Sequence, residues 1–464
     1  MTRAYRLGGN RSAALPELNA TARARYRQAA SRCVGRVVTR LTLNDYADEA
    51  PMSIYHLLAK PAGAACNLGC DYCFFLSKER LYAEHHSPLM SDAGLELYIR
   101  QLLESSGGNE VQVAWQGGEP TLRGLDFFRR SVELAERYRK PHQRILHTLQ
   151  TNGTLIDEEW ASFLKENRYL VGLSIDGPRR MHDAYRVTKT GGSTFDDVIE
   201  AWHRLQAHGV DVNVLCTIHE ANSDHPAEVY RFFRDELGAQ YIQFIPIVER
   251  GTAETVASAN RGWNGHKGSD RPLYRQEGNL VTERSVRPEK FGRFLIEIFD
   301  EWVARDVGKV FITTFDIALG SWLGQHNACI VSPVCGASLA MEHNGDVYSC
   351  DHYVEPDHYL GNIKDRHLGA LVSSEKQRRF GRAKYETLPK YCRECPVLFA
   401  CYGECPRNRF TTAPDGEPGL NYLCAGYKAF FEHIDEPMKT MSQLVRNGRC
   451  ADEIMNLWWP RQRR

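Results

Sequence analysis

The chain has 464 residues, of which 42% are hydrophobic, which is ordinary for a globular protein with one large and one smaller domain, or with two to three domains. Lys plus Arg and Asp plus Glu balance at 58 each, so no overall charge favours binding to nucleic acid or to a membrane surface. No stretch approaches the roughly 20 apolar residues of a transmembrane helix. We therefore expect no nucleic-acid partner and no membrane partner.

Residues 1–51 form a basic segment of different composition. Residues 2–40 are rich in Arg, Ala and Ser and contain one acid, Glu17. This composition resembles that of a transit peptide, but the segment lacks the apolar core of a signal peptide. We interpret residues 1–51 as a poorly ordered or loosely docked basic extension. The alternative is a start codon assigned too early, since Met52 begins the organised part of the chain.

Residues 52–250 show a regular alternation of predicted strands and helices. In chain order the strands are IYHLLAK, VQVAWQ, RILHTLQT, YLVGLSID, VDVNVLCTI and YIQFIPIV, and the helices between them are SDAGLELYIRQLLESS, LDFFRRSVELAERYRK, DEEWASFLKEN, TFDDVIEAWHRLQAHG and PAEVYRFFRDELG. Ser91 or Asp92 is the predicted cap of the first helix. Apolar, β-branched strands that alternate with helices predict a parallel α/β sheet, covered on both faces and linked by right-handed crossovers.

Six units are too few for a closed eight-stranded barrel, so we expect an open, partial TIM-like (β/α)6 barrel or a doubly wound sheet. In either fold the functional site lies at the carboxyl ends of the strands. Polar loops fall there in this sequence, beginning with PAGAACNLGCDYC after the first strand and QGGEP after the second.

The rest of the chain divides into three parts. Residues 251–320 begin polar and Gly-rich and end near the helix PEKFGRFLIEIFDEWVARDVG, so we predict a polar insertion and a linking helix. Residues 321–435 hold eight cysteines and short strands, with a tight turn predicted at Asn344-Gly345. We interpret this part as a second, cysteine-rich domain. Residues 436–464 are expected to form a C-terminal helical tail.

Fourteen cysteines are many for one chain, and eleven of them fall into two groups. Without a secretion signal we expect a cytoplasmic location, where clustered thiols usually indicate metal or redox chemistry. The first group is Cys66, Cys70 and Cys73. Their spacing could place three thiols on one apolar helix face, but Pro61 and Gly69 in the same stretch disfavour a helix interior. A loop that brings three thiolates together indicates a metal site.

The number of thiols in this loop helps to distinguish a zinc site from an iron–sulfur cluster. A structural zinc site requires four ligands, whereas three cysteines would hold three irons of a [4Fe-4S] cluster and leave the fourth iron free for a small molecule. Zinc with a remote fourth ligand, and simple packing of the thiols, stay open as alternatives on these grounds alone.

The stretch CNLGCDYC resembles the three-cysteine motif of the radical S-adenosylmethionine enzymes, and WQGGEP resembles their methionine-binding motif. The resemblance implies that WQGGEP receives the amino group of S-adenosylmethionine, and that the later segments SIDGP and HDAYR contact its ribose and carboxylate. Backbone and carboxylate acceptors suit an ammonium group, and a guanidinium fork suits a carboxylate. The implied cofactor-binding residues are Gln116, Gly117, Gly118, Glu119, Ser174, Asp176 and Arg186.

Eight cysteines lie within residues 329–424, and by spacing alone two sites of four ligands are the simplest count. Cys-x-x-Cys pairs suit zinc as well as iron, so the spacing decides neither the metal nor the pairing. The segment resembles the SPASM domain of radical enzymes that modify peptides and proteins. That resemblance implies two auxiliary clusters, each ligated entirely by protein. One would be held by Cys329, Cys335, Cys350 and Cys405, and the other by Cys392, Cys395, Cys401 and Cys424.

Over residues 52–435 the chain resembles the anaerobic sulfatase-maturating enzymes, with KPAGAACNLGCDYCFF, WQGGEP, QTNGTLID, SIDGP, HDAYR and CDHYV in order. The resemblance implies three [4Fe-4S] clusters, S-adenosylmethionine, and oxidation of Cys or Ser in a Cys/Ser-x-Pro-x-Arg sulfatase motif to formylglycine, by hydrogen abstraction from the β-carbon. It also implies an electron donor such as flavodoxin or ferredoxin. Asp351, directly after Cys350, matches the family's base. Phe75 departs from the pattern, since many relatives are expected to have Tyr there.

Two other functions remain open at this point. Another SPASM enzyme, forming thioether or carbon–carbon crosslinks in a small peptide, would share every cluster ligand. A zinc-stabilised, non-catalytic binding protein would share the cysteine spacing. Cys-type and Ser-type sulfatase targets are both compatible with the sequence.

Overall fold

The computed structural model describes residues 54–82, 89–263 and 273–457, so the predicted extension over residues 1–51 lies outside the described part. The strands are β1 His56–Ala59, β2 Glu110–Trp115, β3 Arg144–Thr151, β4 Leu170–Ser174, β5 Asp211–Ile218, β6 Tyr241–Pro246, β7 Arg250–Gly251, β8 Leu280–Val281, β9 Phe311–Ile312, β10 Ser338–Met341, β11 Asp346–Tyr348, β12 Tyr359–Asn362, β13 Arg409–Thr412 and β14 Pro418–Asn421.

The α-helices are α1 Asp92–Ser105, α2 Leu125–Tyr138, α3 Glu158–Glu166, α4 Arg179–His182, α5 Phe195–Ala207, α6 Pro226–Arg231, α7 Val256–Asn260, α8 Pro288–Arg305, α9 Thr313–Trp322, α10 Leu368–Val372, α11 Glu375–Glu386, α12 Lys390–Arg393, α13 Leu398–Cys401, α14 Cys424–His433 and α15 Asp435–Arg446. Short 3-10 segments are Phe74–Tyr82, Pro120–Arg123, Cys329–Val331, Asp351–Tyr353, Pro356–His358, Pro406–Asn408 and Ala451–Glu453, and Phe232–Glu236 is a π-helical turn.

Ten strands form one sheet in the order β12-β11-β10-β1-β2-β3-β4-β5-β6-β9. Strands β1 to β6 are parallel neighbours in chain order, which confirms the predicted six-unit parallel sheet. The short strand β9 continues the parallel row beyond β6 and was not predicted. The sheet keeps two free edges, β12 and β9, and is therefore open, as expected for a partial barrel.

The helices between the strands pack with the sheet and contribute to the main hydrophobic core. Ser91 caps α1 by accepting a hydrogen bond from the Gly94 backbone N–H at 3.1 Å, as predicted. Trp115 of β2 packs edge to face against Phe128 of α2, with ring centroids 5.8 Å apart, and Phe128 packs in the same way against Trp160 of α3 at 5.0 Å. Such aromatic contacts between consecutive helices and strands stabilise the layer beneath the site.

The cysteine-rich part is joined to the barrel through the sheet itself. Strand β10 pairs in parallel with β1, in register from His56 opposite Ser338 to Ala59 opposite Met341. Strands β10 and β11 form the antiparallel hairpin that the Asn344-Gly345 turn predicts. The sheet thus runs without a break across the predicted boundary near residue 320 and sets the segment after β11 beside the carboxyl end of β1. The boundaries of the parts remain a prediction.

The linking helix α8 is also fixed to the cysteine-rich part. It crosses α14 at Gly292 and Gly426, where a Cβ atom on Gly292 would lie 2.7 Å from the Gly426 Cα. A Cβ atom on Gly426 would lie 2.1 Å from the Pro288 carbonyl oxygen. Only glycine permits so close an approach of two backbones. In the described part of the chain, no helix combines the length and the apolar character that crossing a bilayer requires.

Candidate active site and auxiliary thiol sites

The loop after β1, which we call the thiol loop (residues 66–73), carries the first three cysteines. It lies against residues 185–188, where Leu68 forms an antiparallel bridge with Thr188. The Gly69 N–H donates to the Val187 carbonyl at 2.9 Å, and the Asp71 N–H donates to the Tyr185 carbonyl at 3.1 Å. These backbone bonds hold the loop at the carboxyl ends of the parallel strands, where the sequence predicts the site.

The three thiols of this loop are close enough to influence one another. Burial, with a contribution from the neighbouring thiol of Cys73, raises the pKa of Cys66 to about 12. Burial also raises the pKa of Cys70 and of Cys73. Buried thiols become thiolates when a metal binds them, because the metal supplies the opposing charge. The donor set of three grouped thiols therefore fits a site-differentiated cluster.

A single metal ion fits this arrangement less well. All ligands of one zinc ion must lie about 2.3 Å or less from it, whereas thiols that bind different irons of a cluster can stand farther apart. Within residues 54–82, 89–263 and 273–457, no three His, Cys, Asp or Glu side chains form a group that could hold one metal ion. The zinc alternatives gain no support from the geometry.

The segment after β2 lies directly on the thiol loop. The Gly118 N–H donates to the Gly63 carbonyl at 2.8 Å, and the Glu119 N–H donates to the Ala65 carbonyl at 2.8 Å. A Cβ atom on Gly118 would lie 1.9 Å from the Ala65 carbonyl oxygen, and Gly117 has φ +132°. Both positions thus require glycine, and the backbone of Gln116, Gly117 and Gly118 borders the loop.

The carboxylate of Glu119 fastens the ends of β2 and β3 together. Its Oε1 accepts from the Thr121 hydroxyl at 2.7 Å and the Thr151 hydroxyl at 2.8 Å, and its Oε2 accepts from the Asn152 N–H at 2.8 Å. The side chain is 1% exposed, and burial raises its pKa although these donors oppose the rise. Glu119 therefore has a clear structural role, and its contact with a methionine amino group remains a prediction.

Asp176 and Arg186 are brought together as a buried ion pair after β4. Arg186 Nε donates to Asp176 Oδ2 at 2.9 Å, and Nη2 donates to Oδ1 at 3.2 Å. Tyr72 of the thiol loop and the Thr217 N–H also donate to this carboxylate, at 2.7 and 2.8 Å. Burial alone would raise the pKa of Asp176, but Arg186 and His219 hold it far below the usual value. The carboxylate is thus ionised and links the loop to β4 and β5.

Two polar groups near the Asp176–Arg186 ion pair could bind a ligand: Nη1 of Arg186 and the hydroxyl of Ser174. Nη1 of Arg186 forms no hydrogen bond with the described residues, since the contacts above use Nε and Nη2. Ser174, at the end of β4, accepts from the Gln150 amide at 3.1 Å and is 8% exposed. Binding of S-adenosylmethionine by Ser174, Asp176 and Arg186 stays a prediction that this arrangement accommodates.

The predicted base, Asp351, lies beside the carboxyl end of β1. Its Oδ1 accepts a hydrogen bond from Lys60 Nζ in an ion pair whose lysine is 1% and whose aspartate is 18% exposed. The same ammonium lies 3.4 Å from the ring centroid of Phe75. Burial would raise the pKa of Asp351, but Lys60 first, and then His352 and Arg407, lower it below its usual value. Asp351 is therefore a carboxylate that can accept a proton.

The division of the eight later cysteines into two ligand sets remains a prediction, and the proximity of their thiols is compatible with it. Electrostatic interactions link the thiols of one set to each other, and those of the other set likewise. The first auxiliary group is Cys329, Cys335, Cys350 and Cys405, and the second auxiliary group is Cys392, Cys395, Cys401 and Cys424. The thiols of the second auxiliary group line one cavity together with Tyr391 and Tyr427. Four thiols around shared space fit a fully ligated cluster.

The buried Lys384 and the partly buried Arg409 lie beside these groups and form no ion pair with a carboxylate among the described residues. Lys384 Nζ donates to the carbonyl oxygens of Cys329 and, at 3.0 Å, of Ile330. Arg409 donates to backbone carbonyls, including those of Tyr402 and Gly403 at 2.5 and 2.9 Å. A buried cation that is bonded only to neutral groups is costly unless an anion lies nearby. An anionic cluster would supply that charge, which is a further fit to the expected cofactors.

Comparison with known proteins agrees with this description. Residues 61–233 match the Radical SAM superfamily, and residues 333–396 match SPASM, an iron–sulfur cluster-binding domain. Fold and site thus define a radical S-adenosylmethionine enzyme with an auxiliary-cluster domain.

The chain belongs to the anaerobic sulfatase-maturating enzyme family. It is 43% identical over 401 residues to the serine-type anaerobic sulfatase-maturating enzyme of Bacteroides thetaiotaomicron, covering 86% of this chain and 94% of the relative. It is 34% identical over 380 residues to the cysteine-type enzyme of Clostridium perfringens, covering 81% and 95%.

A solved structure described as native anSMEcpe with bound AdoMet and Kp18Cys peptide has a TM-score of 0.71 to this chain at 33% identity, covering 84% of this chain and 99% of the other. Streptococcus suis SuiB bound to S-adenosylmethionine, at 14% identity and a TM-score of 0.53, shares the fold.

The sequence analysis did not single out Lys60, Tyr72 or Lys384. Lys60 and Tyr72 lie inside the stretch KPAGAACNLGCDYCFF, so their position within a motif was a usable signal. Lys384 lies in a helix of mixed charge and carries no comparable signal. Only the folded structure reveals that it is buried beside the thiols.

Proposed function

We propose that this protein oxidises a Cys or Ser side chain of a sulfatase to formylglycine, as a radical S-adenosylmethionine enzyme acting without oxygen. The observation that carries the proposal is the ion pair between Asp351, which directly follows Cys350, and Lys60, which directly follows β1 and precedes the thiol loop. Extensive identity to both serine-type and cysteine-type sulfatase-maturating enzymes supports the same reaction.

The residues expected to hold the cofactors follow from the site. Cys66, Cys70 and Cys73 would ligate the first [4Fe-4S] cluster, and the two auxiliary groups would ligate one cluster each. The backbone of the Gln116–Gly118 segment, with Ser174 and Arg186, would receive S-adenosylmethionine. When bound, this cofactor set supplies the radical that removes a hydrogen atom from the target's β-carbon and an acceptor for one electron.

The protein's own chemical step is proton removal from the target side chain. Loss of a hydrogen atom, a proton and an electron converts –CH2–SH into a thioaldehyde, which water hydrolyses to the aldehyde with release of hydrogen sulfide. The same loss converts –CH2–OH into the aldehyde directly. Asp351 accepts the proton, because it is an ionised carboxylate at the site. Lys60 binds Oδ1 of Asp351, and Oδ2 would accept the proton.

The target and the physiological partners are proposed from the same chemistry. The target would be an unfolded sulfatase segment with the motif Cys/Ser-x-Pro-x-Arg, and a flavodoxin or ferredoxin would deliver the electrons. Reactions of this kind require a reducing compartment, and the cysteines of all three thiol groups are free, so we propose that the protein acts in the cytoplasm.

The experiment that tests the proposal is a peptide assay without oxygen. Protein reconstituted with iron and sulfide is incubated with S-adenosylmethionine, a reductant and one of three peptides that carry Cys, Ser or Ala at the target position. We expect the mass of an aldehyde from the Cys peptide, the Ser peptide or both, and no change in the Ala peptide. Deoxyadenosine without any modified peptide, from protein with full iron content, would contradict the proposed substrate class.

A further inference from the structure

Lys384 is a buried cation in the second half of the molecule that the proposed chemistry does not use. It lies on α11, is 1% exposed, and its Nζ donates to the carbonyl oxygens of Cys329 and Ile330. No described carboxylate pairs with it. Since an ammonium group loses its hydration on burial, two neutral carbonyl partners leave most of that cost unbalanced.

An anionic cluster bound by the neighbouring cysteines as thiolates would balance this charge. The contact of its Nζ with the Cys329 carbonyl places Lys384 beside the first auxiliary group. Burial lowers the pKa of Lys384, and the thiols of Cys335, Cys329 and Cys405, which all belong to that group, oppose this shift. Arg409 interacts with thiols of both auxiliary groups and therefore does not distinguish between them. Lys428, beside the second auxiliary group, has a side chain that is 34% exposed and lies 4.0 Å from Glu432, so solvent and a carboxylate screen its charge.

A cation in this position has a definite effect on a bound cluster. Reduction adds one negative charge to the cluster, and a buried cation stabilises the more negative form. Charge and hydrogen bonding around a cluster are the means by which a protein sets its reduction potential. The cluster next to Lys384 is also the one whose ligand Cys350 precedes Asp351, so it lies next to the carboxylate proposed to deprotonate the target.

We propose that Lys384 raises the reduction potential of the cluster held by Cys329, Cys335, Cys350 and Cys405, and so makes this cluster the favoured acceptor of the electron that the target loses. The inference rests on the proposed function for the source of the electron, but the potential itself is a property of the resting enzyme. Lys384 acts on the cluster through its charge and touches neither target nor S-adenosylmethionine.

The test is a redox titration of the reconstituted holoenzyme followed by electron paramagnetic resonance, without peptide. Added S-adenosylmethionine changes the signal of the first cluster and so identifies it, which leaves the two auxiliary signals. We compare wild type with Lys384→Met and Lys384→Gln, which remove the charge, and with Lys384→Arg, which keeps it. The matched control is Lys428→Met, which removes a lysine beside the second auxiliary group.

We expect both neutral variants to shift one auxiliary cluster to a lower potential, Lys384→Arg to keep the wild-type value, and Lys428→Met to leave both values unchanged. Lys384→Gln retains a hydrogen-bond donor for the carbonyls of Cys329 and Ile330. If Lys384→Met loses iron, the potential measured for Lys384→Gln therefore tests the proposal. Unchanged potentials in Lys384→Gln with full iron content would overturn the proposal. An equal shift in Lys384→Arg and Lys384→Gln would also overturn it, because charge would not be the cause. Formylglycine formation by the wild type is measured separately, so failure of either proposal is recognised independently.

Discussion

Buried cations have different partners in the two halves of the molecule. Around the thiol loop each buried cation meets a carboxylate: Lys60 with Asp351, Lys78 with Glu355, and Arg186 with Asp176. Around the auxiliary groups, the buried Lys384 and the partly buried Arg409 are bonded to backbone carbonyls instead. The buried carboxylate there, Glu404, accepts from the amides of Asn408 and Asn421 at 3.2 and 2.9 Å.

This difference in the partners of the cations indicates that the two halves bind their cofactors in different ways. The first half balances its charges within the protein, so its geometry is in place for a cofactor that arrives and is consumed in each turnover. In the second half, the buried ammonium of Lys384 has no described carboxylate partner, and a permanent anionic group would neutralise its charge. The predictions below test this contrast, from the largest expected effect to the smallest.

Cys70→Ala removes one of the three ligands of the thiol loop. We expect complete loss of S-adenosylmethionine cleavage and of formylglycine, because a cluster with a free iron cannot form there. About two thirds of the iron should remain, since the auxiliary groups are untouched. Deoxyadenosine and iron analysis check this, with Cys216→Ala, a buried cysteine outside all three groups, as the control. Substantial cleavage by Cys70→Ala would contradict the assignment of the first site.

Asp351→Asn keeps the shape of the side chain and removes its charge and its basicity. We expect formylglycine formation to fall by about 100-fold or more, while S-adenosylmethionine cleavage and iron content stay near wild type. The ratio of deoxyadenosine to formylglycine should rise accordingly. Asp357→Asn, at an exposed position six residues later, is the matched control. Wild-type product formation by Asp351→Asn would exclude this residue as the base.

Arg186→Met breaks a buried pair and leaves Asp176, which is 0% exposed, without its main partner. We expect the free energy of unfolding to fall by about 3–5 kcal/mol. Arg179→Met breaks an exposed pair with Asp196, with side chains 51% and 77% exposed, and should cost less than about 1 kcal/mol. Urea unfolding of both variants under argon compares the two. Equal urea midpoints for Arg186→Met and Arg179→Met would show that the Arg186–Asp176 pair stabilises the fold no more than the exposed pair does.

Lys78 should give a small dependence of stability on pH. Burial lowers its pKa to about 8, although Glu355 opposes the change. Between about pH 8 and the usual lysine value near 10.4, the unfolded chain binds a proton that the folded chain does not, so this group makes folding more favourable as pH rises through that window. The thermal midpoint of Lys78→Met should therefore lack part of the wild-type rise between about pH 8 and 9.5. If the thermal midpoints of wild type and Lys78→Met changed equally with pH, the lowered pKa of Lys78 would be contradicted.

The six strand–helix units and the Ser91 cap were predictable because local periodicity and capping encode them. The pairing of β10 with β1 and the short strand β9 were not, since strands of two to four residues carry little pattern and their partners are remote in sequence. The cysteines were found from their spacing and their resemblance to known motifs. The Lys60–Asp351 pair joins residues 291 positions apart, and no local pattern announces such a contact.

The side-chain environment was the least predictable part of the site. Glu119 was expected only to receive a cofactor, yet its carboxylate also binds the ends of β2 and β3 together. Arg186 was expected to offer its fork to a carboxylate, and in the structure Asp176 takes that position. Such pairings depend on which loops the fold brings together, which the order of motifs along the chain does not specify.

The most direct test of the central claim, hydrogen abstraction from the β-carbon of a sulfatase Cys or Ser, uses isotope-labelled peptides. The reconstituted enzyme is given a target peptide with deuterium on the β-carbon of the reacting residue, or on its α-carbon, and the mass of the deoxyadenosine is measured. We predict deuterium in deoxyadenosine from the β-labelled peptide alone, together with formylglycine. Deuterium transfer from the α-carbon, or formylglycine without any transfer, would contradict the account.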